Sequence, residues 1–338
     1  MVTEQKSSLS PTRERASPTG GRGAGEGAQA LREQRHPSPP PSPTRGEGNR
    51  LLVFAHSPDP DDAYMFYGFA QGAVSIPGYR VQHHLEDIQT LNERALRGEF
   101  EITAVSAHAY AHLSERYWVL RCGASVGRGY GPILVVPGPG SKVQGQDFRH
   151  WTRDFGRPLK IAIPGKWTTA ALVLDLWLGE QQLHVEKIVM PFDHILSAVE
   201  HGEVDAGLII HEGQLTYQDL GLEKMWDAGE WWRDQTGLPL PLGLDVVRKD
   251  LGLPLAQQIS DALRQSILYA NQHPEEALAY ALQYGRGLSR PLGKRFVGMY
   301  VNEDTLTQGE DVQKGLQTLY DRAFIQGLIP QKPIVQFV

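Results

Sequence analysis

Val204-Asp205-Ala206-Gly207-Leu208-Ile209-Ile210-His211-Glu212-Gly213-Gln214 is the stretch on which the reading of the fold turns. Its apolar run, Ala206 to Ile210, is short and ends in the β-branched pair Ile209 and Ile210. Bounded by Glu203 and Asp205 before it and Gly213 after it, such a run predicts a buried strand of a parallel sheet. The run stops at His211 and Glu212. Ligands of open α/β sheets sit just outside the carboxyl ends of strands. An imidazole there can serve as the proton-transfer group of a site. Taken alone, the same residue also reads as a strand-end histidine hydrogen-bonded to a loop.

Immediately upstream, Val185–Met190 reads as a strand and Phe192–Glu200 as a helix. Before them, Pro158–Ile163 is a strand broken by Pro164-Gly165, and Lys166–Leu178 follows as an amphipathic helix. Thr168 and Thr169 stand at its start, where threonine hydroxyls satisfy orphan N–H groups. The same hydroxyls and free N–H groups can hold a polar or anionic ligand.

In the N-terminal half, Leu51–Ala55 is a strand pattern running into His56-Ser57-Pro58-Asp59-Pro60-Asp61-Asp62 and a helix over Ala63–Ala70. The aspartates suit helix capping. They lack the glycine and distal glutamate of a calcium loop. Tyr79–His84 reads as a strand and Ile88–Leu96 as a helix with Ile88, Leu91, Ala95 and Leu96 on one face. A strand over Glu101–Ser106 enters a helix over Ala107–Leu113. His108 and His112 lie four apart on it, but no third ligand or HExxH pattern accompanies them, so no metal site is expected. Tyr117–Cys122 and Ile133–Val136 are apolar strand-like segments, and Pro137–Ser141 is a turn. Gly127-Arg128-Gly129-Tyr130-Gly131 is not a dinucleotide fingerprint, because its spacing is wrong and Pro132 follows. Downstream, Gly237–Gly243 separates a tryptophan-rich region (Trp226, Trp231, Trp232) from a strand at Leu244–Val247. Helical patterns cover Leu255–His273, Glu275–Gln283 and Asp311–Gly327.

Residues 1–49 are rich in Ser, Pro, Gly, Arg and Glu and bury too little apolar surface to offset ordering entropy, which predicts a disordered tail. The formal net charge of −6 and the lack of a basic cluster interleaved with aromatics argue against nucleic-acid binding. The single cysteine, Cys122, rules out an internal disulfide framework. No apolar run approaches the length of a membrane helix and no export signal is evident, so the expectation is a cytoplasmic protein without a membrane partner. Oligomeric state is open at this level.

Alternating strands and helices imply an α/β fold. Several stretches then form one ordered set: His56–Asp62, Val105-Ser106-Ala107-His108-Ala109-Tyr110, Gly127–Pro132, Ile163–Thr169, Asp205–Glu212, Gly237–Gly243 and Tyr300-Val301-Asn302-Glu303. Together they resemble the 1,4-dihydroxy-6-naphthoate synthases of the futalosine route to menaquinone, over about residue 51 to the end. The resemblance implies a two-lobed, type II periplasmic-binding-protein-like fold with the ligand in the cleft between lobes. It places lobe 1 at 50–132 and 244–338 and lobe 2 at 133–243. It implies cleavage of a small-molecule substrate, cyclic dehypoxanthine futalosine, with no metal or organic cofactor. By motif, His211 is the general base, and Val105, Ser106, Thr168 and Thr169 contact substrate.

The chain departs from the family at Ser57–Tyr64, where Ser-Pro-Cys-Pro-Asn-Asp-Thr-Phe is more usual. The loop here is more acidic, which disfavours a carboxylate-bearing substrate. Glu212 is a candidate to orient His211, although neighbours on an extended chain point oppositely. Two other functions fit the fold: chorismate dehydratase of the same pathway and a non-catalytic solute-binding protein.

Overall fold

A computed structural model describes residues 50–138 and 157–338. The expected N-terminal tail and most of the Pro137–Ser141 turn lie outside the described residues. The chain forms an α/β fold around two sheets. The first is built from β1 (Arg50–His56), β2 (Tyr79–Leu85), β3 (Ile102–Ser106), β4 (Tyr117–Val119), β5 (Ser125–Gly127) and β11 (Leu240–Arg248). The second is built from β6 (Ile133–Pro137), β7 (Leu159–Ile163), β8 (Val185–Val189), β9 (Ala206–Ile209) and β10 (Leu222–Asp227).

In the first sheet the order is β2-β1-β3-β11-β4, with β5 also on β11; in the second it is β10-β6-β9-β7-β8. Both sheets are mixed, a correction to the parallel sheet expected around the Ala206–Ile210 run. β1 runs parallel to β2 and β3, but β11 is antiparallel to β3, β4 and β5. β9 is parallel to β7, as its apolar run predicts, and antiparallel to β6 on its other side. The buried run does not distinguish these cases, because a strand covered on both faces is apolar whatever the direction of its neighbours.

The helix over Thr169–Gln181 differs from its expected amphipathic form. Leu172, Val173 and Leu176 enter one core with Trp232, Leu316 and Tyr320. Ala170, Ala171, Leu174 and Leu178 enter another core against β7 and β9. A helix buried on opposite sides has no polar face to display. The Gly237–Gly243 segment is also not a mere separator. β11 begins inside it at Leu240, and the pairing with β5 shifts register between Pro241 and Gly243. Proline lacks the N–H that a ladder needs, and such an irregularity is where a strand accommodates it. The helix expected over Ala107–Leu113 is confined to Ala107–Tyr110.

Helices of the C-terminal third cover β1 and its following turn. Phe54, Phe66 and Phe69 pack with Ile259, Leu263 and Ile267. Ala63, Tyr64 and Tyr67 pack with Ala277, Ala281 and Tyr284. This packing anchors the strand and the helices on either side of the polar loop after β1.

Candidate active site

His211 lies just beyond the end of β9 in the left-handed region, with φ of 54°. That conformation is uncommon for a residue with a Cβ, although histidine is among the more tolerant types, and it turns the side chain out of the strand's alternation. Gly213 makes the turn possible. A Cβ there would stand 2.7 Å from Ile209 Cγ2 and 3.3 Å from Leu196 Cδ1.

The His211 ring meets Phe192 edge-on at 4.8 Å between centroids. Its Nδ1 lies 3.1 Å from Asp59 Oδ2, with both side chains largely buried. Nε2 has no protein partner among the described residues. Glu212, the sequence candidate for orienting the ring, turns elsewhere: it pairs with Arg286 at 3.0 Å. Arg286 also donates to the Pro58 carbonyl at 3.1 Å and stacks its guanidinium 4.6 Å above Phe192. It thereby ties the loop after β1 to the elements flanking β9.

The cavity beside His211 has about 720 Å³ of empty space, its open mouth included. Val105, Ser106, Thr168, Thr169 and His211, the five site residues expected from sequence, all line it. They come from the ends of β3 and β9 and from the start of the Thr169–Gln181 helix, so both sheets contribute. His211 is the one basic side chain among the lining residues described.

Within that wall the roles differ. Thr168 is a helix cap: its hydroxyl accepts from Ala171 N–H at 3.2 Å and donates to the Gly165 carbonyl at 2.7 Å. Thr169 donates to the Leu242 carbonyl at 2.6 Å and accepts from His108 N–H at 3.2 Å. Neither hydroxyl hydrogen remains for a ligand. What the helix start still offers is its first-turn N–H groups at Thr169 and Ala170, which no intrahelical carbonyl can satisfy. Ser106 is held by Asn92, which donates to Ser106 Oγ at 3.0 Å and accepts from Ser106 N–H at 2.8 Å. The Ser106 hydroxyl hydrogen is therefore free to turn toward a ligand. Asn92 is fully buried on the Ile88–Arg97 helix. The only trace of it in the sequence is an amide on an otherwise apolar face.

The acidic loop forms the opposite wall. Asp59 caps the Pro60–Met65 helix, its Oδ1 accepting from Asp62 N–H at 3.3 Å. Asp62 accepts from Ser57 N–H at 2.7 Å. Burial, then the neighbouring Asp59 charge and a hydrogen bond to it, hold the Asp61 carboxyl well above the usual carboxylate range. Burial, and then the charges of Asp59, Asp61 and Asp245, do the same to Asp62. Asp245, on β11, is pushed up to about 8 by burial. Its Oδ2 sits where a Cβ on Gly123 would stand, 2.0 Å away.

Among the described residues, Asp59, Asp61 and Asp62 are the one set of three groups close enough for a metal, with ligand atoms within 4.8 Å of one another. Asp59 Oδ1 is taken by the helix cap, Asp59 Oδ2 lies against His211, and one Asp62 oxygen accepts from Ser57 N–H. His108 and His112 form no such set; His108 Nδ1 lies 3.3 Å from the Thr168 carbonyl.

Two sheets, a cavity lined from both and a histidine at a strand end define an α/β protein with a candidate small-molecule site between its sheets. A family model described as menaquinone biosynthesis matches residues 52–324, and the chain belongs to that family. It is 39% identical over 287 residues to a 1,4-dihydroxy-6-naphthoate synthase of Thermus thermophilus, covering 85% of this chain and 99% of the relative. A synthase of the same name from Streptomyces coelicolor is 35% identical over 282 residues, covering 82% and 95%. Among solved structures, a protein of Archaeoglobus fulgidus superposes with a TM-score of 0.74 at 44% identity, covering 83% of this chain and 99% of that one. The alkanesulfonate-binding protein of Xanthomonas axonopodis gives 0.65 at 14% identity, covering 87% and 100%. That likeness speaks for the periplasmic-binding-protein-like fold alone.

Proposed function

We propose that this chain is a carbon–carbon lyase, a 1,4-dihydroxy-6-naphthoate synthase, with His211 as its general base. The relatives carry the activity. The observation that carries the base is the His211 imidazole, its Nδ1 against a buried carboxylate and its Nε2 unpartnered, in a cavity with no other basic group. With substrate bound, Nε2 takes the proton of a sugar hydroxyl. The oxygen so deprotonated forms a carbonyl as the neighbouring carbon–carbon bond breaks; the electron pair of that bond passes into the bicyclic part, which takes it up as an enolate, regains a proton from the His211 imidazolium and leaves as the product. The first-turn N–H groups at Thr169 and Ala170 and the Ser106 hydroxyl hold the substrate's anionic and polar groups.

In this reading lobe 1 (expected at 50–132 and 244–338) is built on the first sheet and lobe 2 (expected at 133–243) on the second, with the substrate cleft between them; β11 of the first sheet already begins at Leu240, four residues before the expected return. No helix among the described residues is long and apolar enough to cross a membrane. The test is incubation with cyclic dehypoxanthine futalosine and detection of dihydroxynaphthoate by mass spectrometry, for wild type and His211→Ala. Wild type should form product, and the variant should bind substrate without cleaving it. Turnover by His211→Ala near the wild-type rate would remove His211 from the role.

A further inference from the structure

We propose that Asp59 is a positioning residue of this site: its carboxylate holds the His211 imidazole so that Nδ1 carries the hydrogen and Nε2 faces the substrate. The inference rests on the general-base reading of His211 and adds the group on which that base depends.

The geometry separates this role from capping. An N-cap needs one oxygen, and Asp59 Oδ1 fills that need at Asp62 N–H. Oδ2 is left over, and it is this oxygen that stands 3.1 Å from His211 Nδ1. The contact joins the turn after β1 to the turn after β9, so it closes the cavity wall from one sheet to the other. Asp59 is 3% exposed.

The surroundings make Asp59 the acceptor. Burial, and the Asp59 charge beside them, push the Asp61 and Asp62 carboxyls well above the usual carboxylate range. Glu212, next to His211 in the chain, is paired to Arg286. An imidazole whose Nδ1–H is fixed by a carboxylate presents a basic Nε2, and the carboxylate stabilises the imidazolium formed on proton transfer. The left-handed backbone at His211 is the local cost of bringing the ring to this partner.

Two substitutions keep the cap and remove the carboxylate: Asp59→Asn and Asp59→Ser, both good N-cap residues. Steady-state kinetics across pH should show kcat falling about 100-fold or more in each, with KM changed less than about threefold. The acidic limb of kcat/KM should move to lower pH, because the imidazolium loses its neighbouring negative charge. Melting temperatures should stay at the wild-type value. If both variants kept wild-type kcat and an unmoved acidic limb while His211→Ala was inactive, Asp59 would be a cap alone and the inference would fall by itself. If His211→Ala stayed active, the base reading would fall and this inference with it.

Discussion

Thr168 tests whether the motif's hydroxyls serve the ligand or the helix. Thr168→Val keeps the side-chain shape and removes the hydroxyl. In the folded protein that oxygen caps Ala171 N–H and donates to the Gly165 carbonyl, and Thr168 and Gly165 are both buried. Loss of an N-cap costs about 1 kcal/mol. A buried carbonyl left without its donor costs about another 1 kcal/mol. The expected destabilisation is therefore about 2 kcal/mol. For a cooperative unit of roughly 290 residues the unfolding entropy is about 0.6 kcal/mol per kelvin, which makes this a fall of roughly 3 °C in Tm. Thr168→Ser keeps both bonds and should melt within about 1 °C of wild type. Thermal melts followed by circular dichroism, beside KM for cyclic dehypoxanthine futalosine, supply the two readouts. KM should change less than about threefold in either variant, since the hydroxyl hydrogen is already committed. A Thr168→Val protein with wild-type Tm and a KM raised about tenfold, or about 1.4 kcal/mol of lost binding, would show that the hydroxyl serves the ligand.

Other perturbations address the walls of the cavity. Arg286→Ala removes the clamp on Glu212, Pro58 and Phe192 and should raise KM by on the order of tenfold, the scale of one charged hydrogen bond with a cation–π contact; unchanged KM and kcat would mean the clamp does not shape the cavity. Asp245→Asn tests the buried acid on β11. Its folded pKa of about 8 lies above the ordinary value of 3.8. Between these the folded state keeps a proton that the unfolded state has released, so its contribution to stability is lost as pH rises through that window. The neutral amide escapes that loss, so the variant should gain Tm relative to wild type as pH goes from 5 to about 8. A difference in Tm that does not vary with pH would rule out a titrating Asp245.

Much of this was legible in the chain itself. The strand at Ala206–Ile209, the Phe192–Glu200 helix and the Thr-Thr helix start follow from apolar periodicity and capping chemistry, which act over a few residues. So does the placement of His211 at a strand end. The ordered motifs that mark the family gave the five residues that meet in one cavity. Sheet direction was not legible, since a buried strand looks the same to parallel and antiparallel neighbours. Nor was the helix over Thr169–Gln181 legible as a two-sided one, because a local window does not show what packs on each face.

The partners of the site depended wholly on tertiary structure. From sequence, Asp59 is a cap and Glu212 the obvious neighbour of His211. In the fold, the left-handed turn at His211 carries the ring away from Glu212 and toward a carboxylate 152 positions earlier in the chain, 3.1 Å from Nδ1. Asn92 beneath Ser106, and Asp245 over Gly123, are likewise meetings of distant segments. Sequence alone determined which residues could do chemistry and where the strands would deliver them. Which groups face one another, and which acids keep their protons, was settled only when burial brought those segments together, because hydrogen bonding and desolvation act across space and not along the chain.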